Sequence, residues 1–251
     1  GPQYEKFCRT LNDLARSNVI CAASGNGGPG LSTIATPGDI SNIISVGAYI
    51  TPEMWSTDYG WSTPSEGMWF FNSAGPNRDG SLKPDILAPG SAVSSSPVWS
   101  GQYYMLREGT SMASPFVAGT IALLMEGMLK KGIVFNAAMI KQGLLDGASQ
   151  IEGLGTIEQG HGLINAKDSW EQLQKAQVLP RPWLASARSN LYGNARGLYA
   201  RHYQPGIAQL SIDNADNESI FIDWTSDAEW IRIPYSQVQV APSGERVMEV
   251  E

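Results

Sequence analysis

The chain has 251 residues, 42% hydrophobic and 16% charged, enough to bury the core of one large domain and part of a second. Its net charge of −7, with no basic cluster, argues against a nucleic-acid or anionic-membrane partner, because phosphate binding needs a basic face. Two cysteines, Cys8 and Cys21, are too few for a disulfide framework, and neither their spacing nor their neighbours suggest a metal site.

In chain order, Tyr4, Phe7, Leu11 and Leu14 recur at helical spacing over residues 4–16, and Ser17-Asn18 stops that helix. Val19 to Ala23 is a short continuous apolar run, the pattern of a strand buried on both faces in a parallel sheet. With Cys8 on a helix and Cys21 in a strand, two buried thiols are expected rather than a bridge. The strand runs into Ser24-Gly25-Asn26-Gly27-Gly28-Pro29-Gly30, a loop that can continue neither element. In open α/β folds ligands bind where loops leave the carboxyl ends of strands, and Asn26 stands at such an end. Ile43 to Ala48 predicts a second buried strand. The stretch holding Trp55, Trp61 and Trp69 is rich in Gly, Pro and Ser and predicts an irregular insertion.

Gly109-Thr110-Ser111-Met112-Ala113-Ser114-Pro115 opens an apolar run from Phe116 to Met125, in which Val117, Ile121, Leu124 and Met128 keep helical spacing. Pro115 is placed in the first turn, where a missing N–H costs little, and the run of about ten apolar residues is too short to span a bilayer. A helix N-terminus offers unpaired N–H groups and the positive end of the dipole, so an oxygen turning negative beside Ser111 is stabilised there. Ser111 is therefore the candidate nucleophile, and Met112 is expected to be buried behind it. Further on, Asn136 is placed as the cap of a helix carrying Ile140, Leu144 and Leu145, and a last helix runs to about Ala176. Pro180 and Pro182 mark a boundary. Beyond it, Ala208–Ile212, Trp230–Ile233 and Val247–Val250 alternate like half-exposed strands. The expected organisation is an α/β domain over residues 1–178, followed by the start of a β-rich, sandwich-like domain over 179–251.

These residues resemble the subtilisin-like serine proteases, the subtilases. Gly109 to Pro115 matches their G-T-S-x-A-x-P motif, and Ala23 to Asn26 matches the strand ending A-x-G-N. Phe71–Pro76, Lys83–Gly90 and Gly160–Asn165 match the blocks F-x-S-x-G-P, K-P-D-I-x-A-P-G and G-x-G-x-x-N. The resemblance implies the C-terminal portion of a subtilisin-like parallel sheet with flanking helices, acting on peptides; no cofactor and no metal-ligating residue is assigned, and calcium binding is left open. It implies Ser111 as nucleophile and Asn26 as oxyanion donor, with Ala23, Ser24, Gly25, Gly109 and Thr110 lining the substrate. Asp85 lies outside a D-T/S-G context and is assigned to the scaffold. Tyr49–Met54, His161 and Asn194–Tyr199 further resemble the tripeptidyl peptidase II branch, which implies release of tripeptides from free N-termini and homo-oligomers. That branch also implies a cytoplasmic location, with a secreted or periplasmic one as the alternative.

Subtilases place Asp and His before the serine. Nothing like D-T/S-G or H-G-T precedes Ser111 here, and the two histidines, His161 and His202, both follow it. One resolution makes His161 the base and Asp146 its orienter, in the order used by α/β-hydrolases, but Ala113 stands where that fold needs a second Gly. The favoured one supplies Asp and His from an upstream segment. The rival reading is a catalytically inactive, subtilase-derived module that uses its tryptophans for assembly.

Overall fold

Why a segment of this chain becomes helix or strand is decided largely by which of its faces finds a cover. The structure, a computed structural model, describes residues 2–62, 66–77, 80–175, 183–187, 207–214, 218–226, 229, 231–242 and 244–250. Helix α1 (Pro2–Ser17) turns Cys8, Leu11 and Ala15 toward Ala22, Ile40 and Ile43. The buried stripe is therefore rotated by part of a turn: Leu11 belongs to it, Phe7 and Leu14 are exposed along its edge, and Tyr4 in the first turn is exposed as well. Strand β1 (Cys21–Ala23) is shorter than the apolar run, and β2 (Ile44–Ile50) is buried along its whole length. Both cysteines are free and half-buried, and burial pushes the Cys21 thiol up to about 12, so it is neutral near pH 7.

The tryptophan-rich stretch is irregular only in part, since it opens with a helix. Helix α2 (Pro52–Tyr59) starts at Thr51, whose hydroxyl accepts the Met54 N–H, and stops at Gly60 in the left-handed conformation. Thr-Pro at the start and Gly at the end are helix signals hidden by a Ser- and Gly-rich composition. Trp55 stacks on Trp61 at 5.4 Å and lies 4.7 Å from Trp69, so the aromatics form a satellite core with Ala48 and Ile50. Strand β3 (Gly67–Met68) joins that cluster to the end of β2 in antiparallel register.

The sheet is built on β2, which pairs in parallel with β1 through Cys21↔Ile44 and with β4 (Ile86–Pro89) through Val46↔Ile86. The hairpin β5 (Ser91–Ser95) and β6 (Tyr104–Glu108) follows, and β6 leads directly into helix α3 (Thr110–Lys130). Ala113, Val117, Ile121, Leu124 and Met128 of α3 pack on Ile44, Val46, Ile86 and Ala88. Helix α4 (Ala137–Asp146) and helix α5 (Ala166–Lys175) complete this core with Ile140, Leu144 and Leu173.

Two expectations about α3 change. Pro115 is its sixth residue, in the second turn, so its ring removes the N–H that the Ser111 carbonyl would have bonded. The helix has 21 residues and a mean hydropathy of 1.5 in its most apolar window, long and apolar enough by length and composition to cross a bilayer. Its packing against three strands identifies it as the core helix of a folded domain.

The chain divides into two compact units, Gly1–Asn77 with Leu82–Leu179, and Arg78–Ser81 with Pro180–Glu251. In the second, β8 (Ala208–Asn214) pairs antiparallel with β7 (Trp183–Ala187) and β11 (Glu245–Val250), and β9 (Ile220–Asp223) pairs with β10 (Gln237–Val240). Ile212, Ile222, Val238, Val240 and Met248 form its core. Residues 231–233, predicted as strand, lie outside any strand. The expectations for Ala176, Pro180, Pro182, Asn194–Tyr199, His202 and Trp230 lie outside the described residues.

Candidate active site

Asn26 and Ser111, far apart in sequence, meet because β1 ends where α3 begins. Gly109 joins β6 to α3 with φ +148, a backbone conformation that L side chains rarely adopt. A Cβ there would also stand 3.2 Å from the Asn26 Nδ2. Gly109 is thus required by its backbone conformation, and a side chain there would also press on the amide.

Thr110 fixes how that amide points. The Asn26 Oδ1 accepts from the Thr110 N–H at 3.0 Å and from the Thr110 hydroxyl at 2.8 Å, while the hydroxyl oxygen accepts from the Gly25 N–H at 3.2 Å. With its carbonyl oxygen doubly engaged, Asn26 has its Nδ2 beside Gly109 with no acceptor among the described residues. The Ser111 N–H, in the first turn of α3, takes no acceptor among the described residues. Ser111 and Asn26 are both exposed, while Gly109 and Thr110 are buried beneath them. The arrangement presents two N–H donors beside an accessible hydroxyl, which is what a developing oxyanion requires.

The other expected substrate residues sit around this point. Ser24 is fully buried, its N–H bonded to the Val46 carbonyl and its carbonyl accepting from Ala35, so it secures the end of β1. Ala23 and Gly25 are half-buried on either side of it, and Met112 is half-buried rather than enclosed.

Neither proposed base partner reaches the serine. Asp146 is exposed and accepts from Gln142 at 2.6 Å, and His161 makes main-chain bonds to Asp85 and Gln150. No hydrogen bond or ion pair links Ser111, Asp146 and His161 among the described residues, so the α/β-hydrolase order has no support in the geometry. Asp85 is fully occupied elsewhere. Its carboxylate takes the Lys83 ammonium at 2.6 Å and the Ser45 N–H at 2.7 Å, with Lys141 at 4.0 Å. Burial alone would raise the Asp85 carboxyl, but the charges of Lys141 and Lys83 and the hydrogen bonds from Lys83 and Ser45 hold it below the usual carboxylate range. Lys83, 2% exposed, also donates to the Ile43 carbonyl at 2.7 Å, so the pair ties the start of β2 to the start of β4.

The chain is similar to known proteins over most of its length. Pyrolysin of Pyrococcus furiosus is 32% identical over 246 residues, covering 85% of this chain and 18% of that protein. The tripeptidyl-peptidase 2 of Drosophila melanogaster is 37% identical over 207 residues, covering 81% of this chain and 14% of that protein. The chain spans a fifth or less of the length of such relatives. The crystal structure of tripeptidyl peptidase 2 superposes with a TM-score of 0.71 at 24% identity, covering 97% of this chain and 19% of that one, which shows a shared fold. The model of the subtilase family matches residues 3–175, which takes in β1, the Asn26 loop and the whole of α3, and the chain belongs to that family of serine peptidases.

Proposed function

We propose that the chain is the C-terminal portion of a serine peptidase domain that hydrolyses peptide bonds through an acyl-enzyme at Ser111. The carrying observation is the pairing of Thr110 with Asn26, which leaves the Asn26 Nδ2 and the Ser111 N–H as donors beside one exposed hydroxyl. A serine still needs a base within hydrogen-bond reach to attack at neutral pH. In this reading a segment preceding the chain supplies His and Asp and covers the apolar surface that α3 and α1 present. Phe116, Leu123, Tyr4 and Phe7 are exposed there, β1 has one strand neighbour among the described residues, and a cavity of about 450 Å³ lies between β1, α3 and α4.

Similarity to tripeptidyl-peptidase 2 supports a finer reading, an aminopeptidase-type enzyme releasing tripeptides in the cytoplasm. Assembly into homo-oligomers belongs to the same reading. Val98, Trp99 and Tyr103, exposed at the tip of the β5–β6 hairpin, offer an uncharged surface for it. The domain boundary near residue 178 is proposed on the same footing.

The test is to treat the full-length protein with a fluorophosphonate probe and map the adduct by mass spectrometry. The adduct is expected on Ser111 and absent from Ser111→Ala. Failure of the folded full-length protein to label would overturn the peptidase reading and leave a non-catalytic assembly module.

A further inference from the structure

The loop carrying Asn26 holds four glycines between residues 25 and 30, and glycine loses more backbone freedom on ordering than any other residue. Thr110 fixes the side chain of Asn26, but a fixed side chain on a mobile backbone would still leave the Nδ2 protons poorly placed. Something must hold the main chain on both sides of Asn26.

One buried residue does so. The Ser73 N–H donates to the Gly25 carbonyl at 3.0 Å, and the Ser73 hydroxyl oxygen accepts from the Gly27 N–H at 3.0 Å. The Gly25 carbonyl belongs to the peptide plane before the Asn26 Cα, and the Gly27 N–H to the plane after it. Holding both planes fixes φ and ψ of Asn26 together. Ser73 is wholly buried, and its hydroxyl lies 2.8 Å from where a Gly25 Cβ would stand, so Gly25 is needed to let the clamp close. The clamp is anchored to the sheet: the buried Asn72 accepts the Ala48 N–H of β2 at 2.7 Å and donates to the Ser73 carbonyl at 3.1 Å.

We propose that Ser73 is a positioning residue of the oxyanion site, acting through the backbone of Asn26. The proposal rests on the peptidase reading of Ser111. Loss of the hydroxyl orphans the Gly27 N–H and frees one of the two planes. A misplacement of about 1 Å costs up to about a hundredfold in rate, so a loss of about tenfold or more is expected while the substrate still binds.

The experiment is a double-mutant cycle on the full-length protein, with Ser73→Ala, Asn26→Ala and the pair. The readouts are the rate of fluorophosphonate labelling at Ser111 and kcat and KM on a tripeptide amide. Hydrogen exchange is followed in the fragments containing Gly27 and α3. The expected result is faster exchange at Gly27 with α3 unchanged, slower labelling and a lower kcat at constant KM. In the Asn26→Ala background, Ser73→Ala adds nothing further. If Ser73→Ala does not fold, Ser73→Cys keeps the volume with a weaker acceptor and is read the same way. Labelling at the wild-type rate, or an equal loss with and without Asn26, overturns this inference and leaves the peptidase reading intact. A wild type that never labels overturns that reading itself, and the inference with it.

Discussion

The two faces of α3 both carry large apolar side chains, and these meet opposite fates. Toward the sheet, Val117, Leu124 and Met128 are buried against Ile44, Val46 and Ile86. On the far side Phe116, Leu123 and Leu129 are as apolar, yet Leu123 is 68% exposed where Leu124 is 4%. Glu126 and Lys130 pair at 2.6 Å near its end, but from Thr110 to Met125 the helix carries no charge on either side, the pattern of a helix covered on both, and the described residues cover only one. The active site shows the same division. The N–H donors of Asn26 and Ser111, built on the sheet side from the β1 end and the first turn of α3, are in place, while no base bonds Ser111 among the described residues. In the proposed reading one preceding segment supplies both the cover and the base, and the comparison can be broken experimentally.

If the sheet side is finished, removing any buried part of it should be expensive, and the polar part most of all. Asp85→Asn leaves the Lys83 ammonium buried beside a neutral amide, and breaking such a pair costs about 3–5 kcal/mol. The sign with pH follows from the shift. The folded Asp85 carboxyl lies below its ordinary value, so its contribution is fully present above the unfolded value of about 3.9 and is lost as pH falls through the folded one. Urea unfolding at a series of pH values should therefore show a gap between wild type and Asp85→Asn that is level from pH 7 down to about 4. The gap should close below that. A gap unchanged at low pH would mean that Asp85 acts by shape rather than by charge.

The next effect bears directly on the two faces. Leu124→Ala opens a cavity in the core and should cost about 2–5 kcal/mol. Leu123→Ala separates two outcomes: an exposed leucine on a solvated surface costs within about 0.5 kcal/mol, whereas one covered by a preceding segment approaches the cost of its neighbour. In the full-length protein Leu123→Ala is expected to lower stability by at least about 2 kcal/mol. Thermal unfolding that leaves Leu123→Ala indistinguishable from wild type would return the outer face to solvent and remove the argument for a cover.

What could be read without coordinates divides along the same line. The meeting of Asn26 with Gly109 and Thr110 follows from two short motifs at the end of a strand and the start of a helix, where local chemistry and topology agree. The placement of Asp85 in the scaffold was legible from its neighbours Pro84 and Ile86. Helix α2 was not, because its Ser, Gly and Trp composition masked the Thr51 cap and the Gly60 stop. The rotation of α1, which buries Cys8 rather than Phe7, depends on the neighbour available, and periodicity fixes a stripe only within about one position. Ser73 stands in the F-x-S-x-G-P block, but its role was illegible for another reason. Its two bonds go to main-chain atoms some forty-odd residues earlier, and a serine that binds backbone carries no pattern of its own.

The smallest expected effect tests the far edge of the finished side. Asn136 was recognisable as a cap, and its Oδ1 accepts the Met139 N–H at 2.8 Å at the start of α4. Asn136→Ala orphans that N–H where α4 supplies Met139, Ile140 and Leu144 to the core, and the usual cost is about 1 kcal/mol. Asn136→Asp should retain the bond and place a negative charge at the positive end of the helix, so it should match or slightly exceed wild type. The two variants separate the cap from the packing it protects. If both lower the unfolding midpoint equally, Asn136 acts through the cavity wall it shares with Phe135 and Ile140 instead of through its hydrogen bond, and the boundary of the finished side moves inward to Ile140.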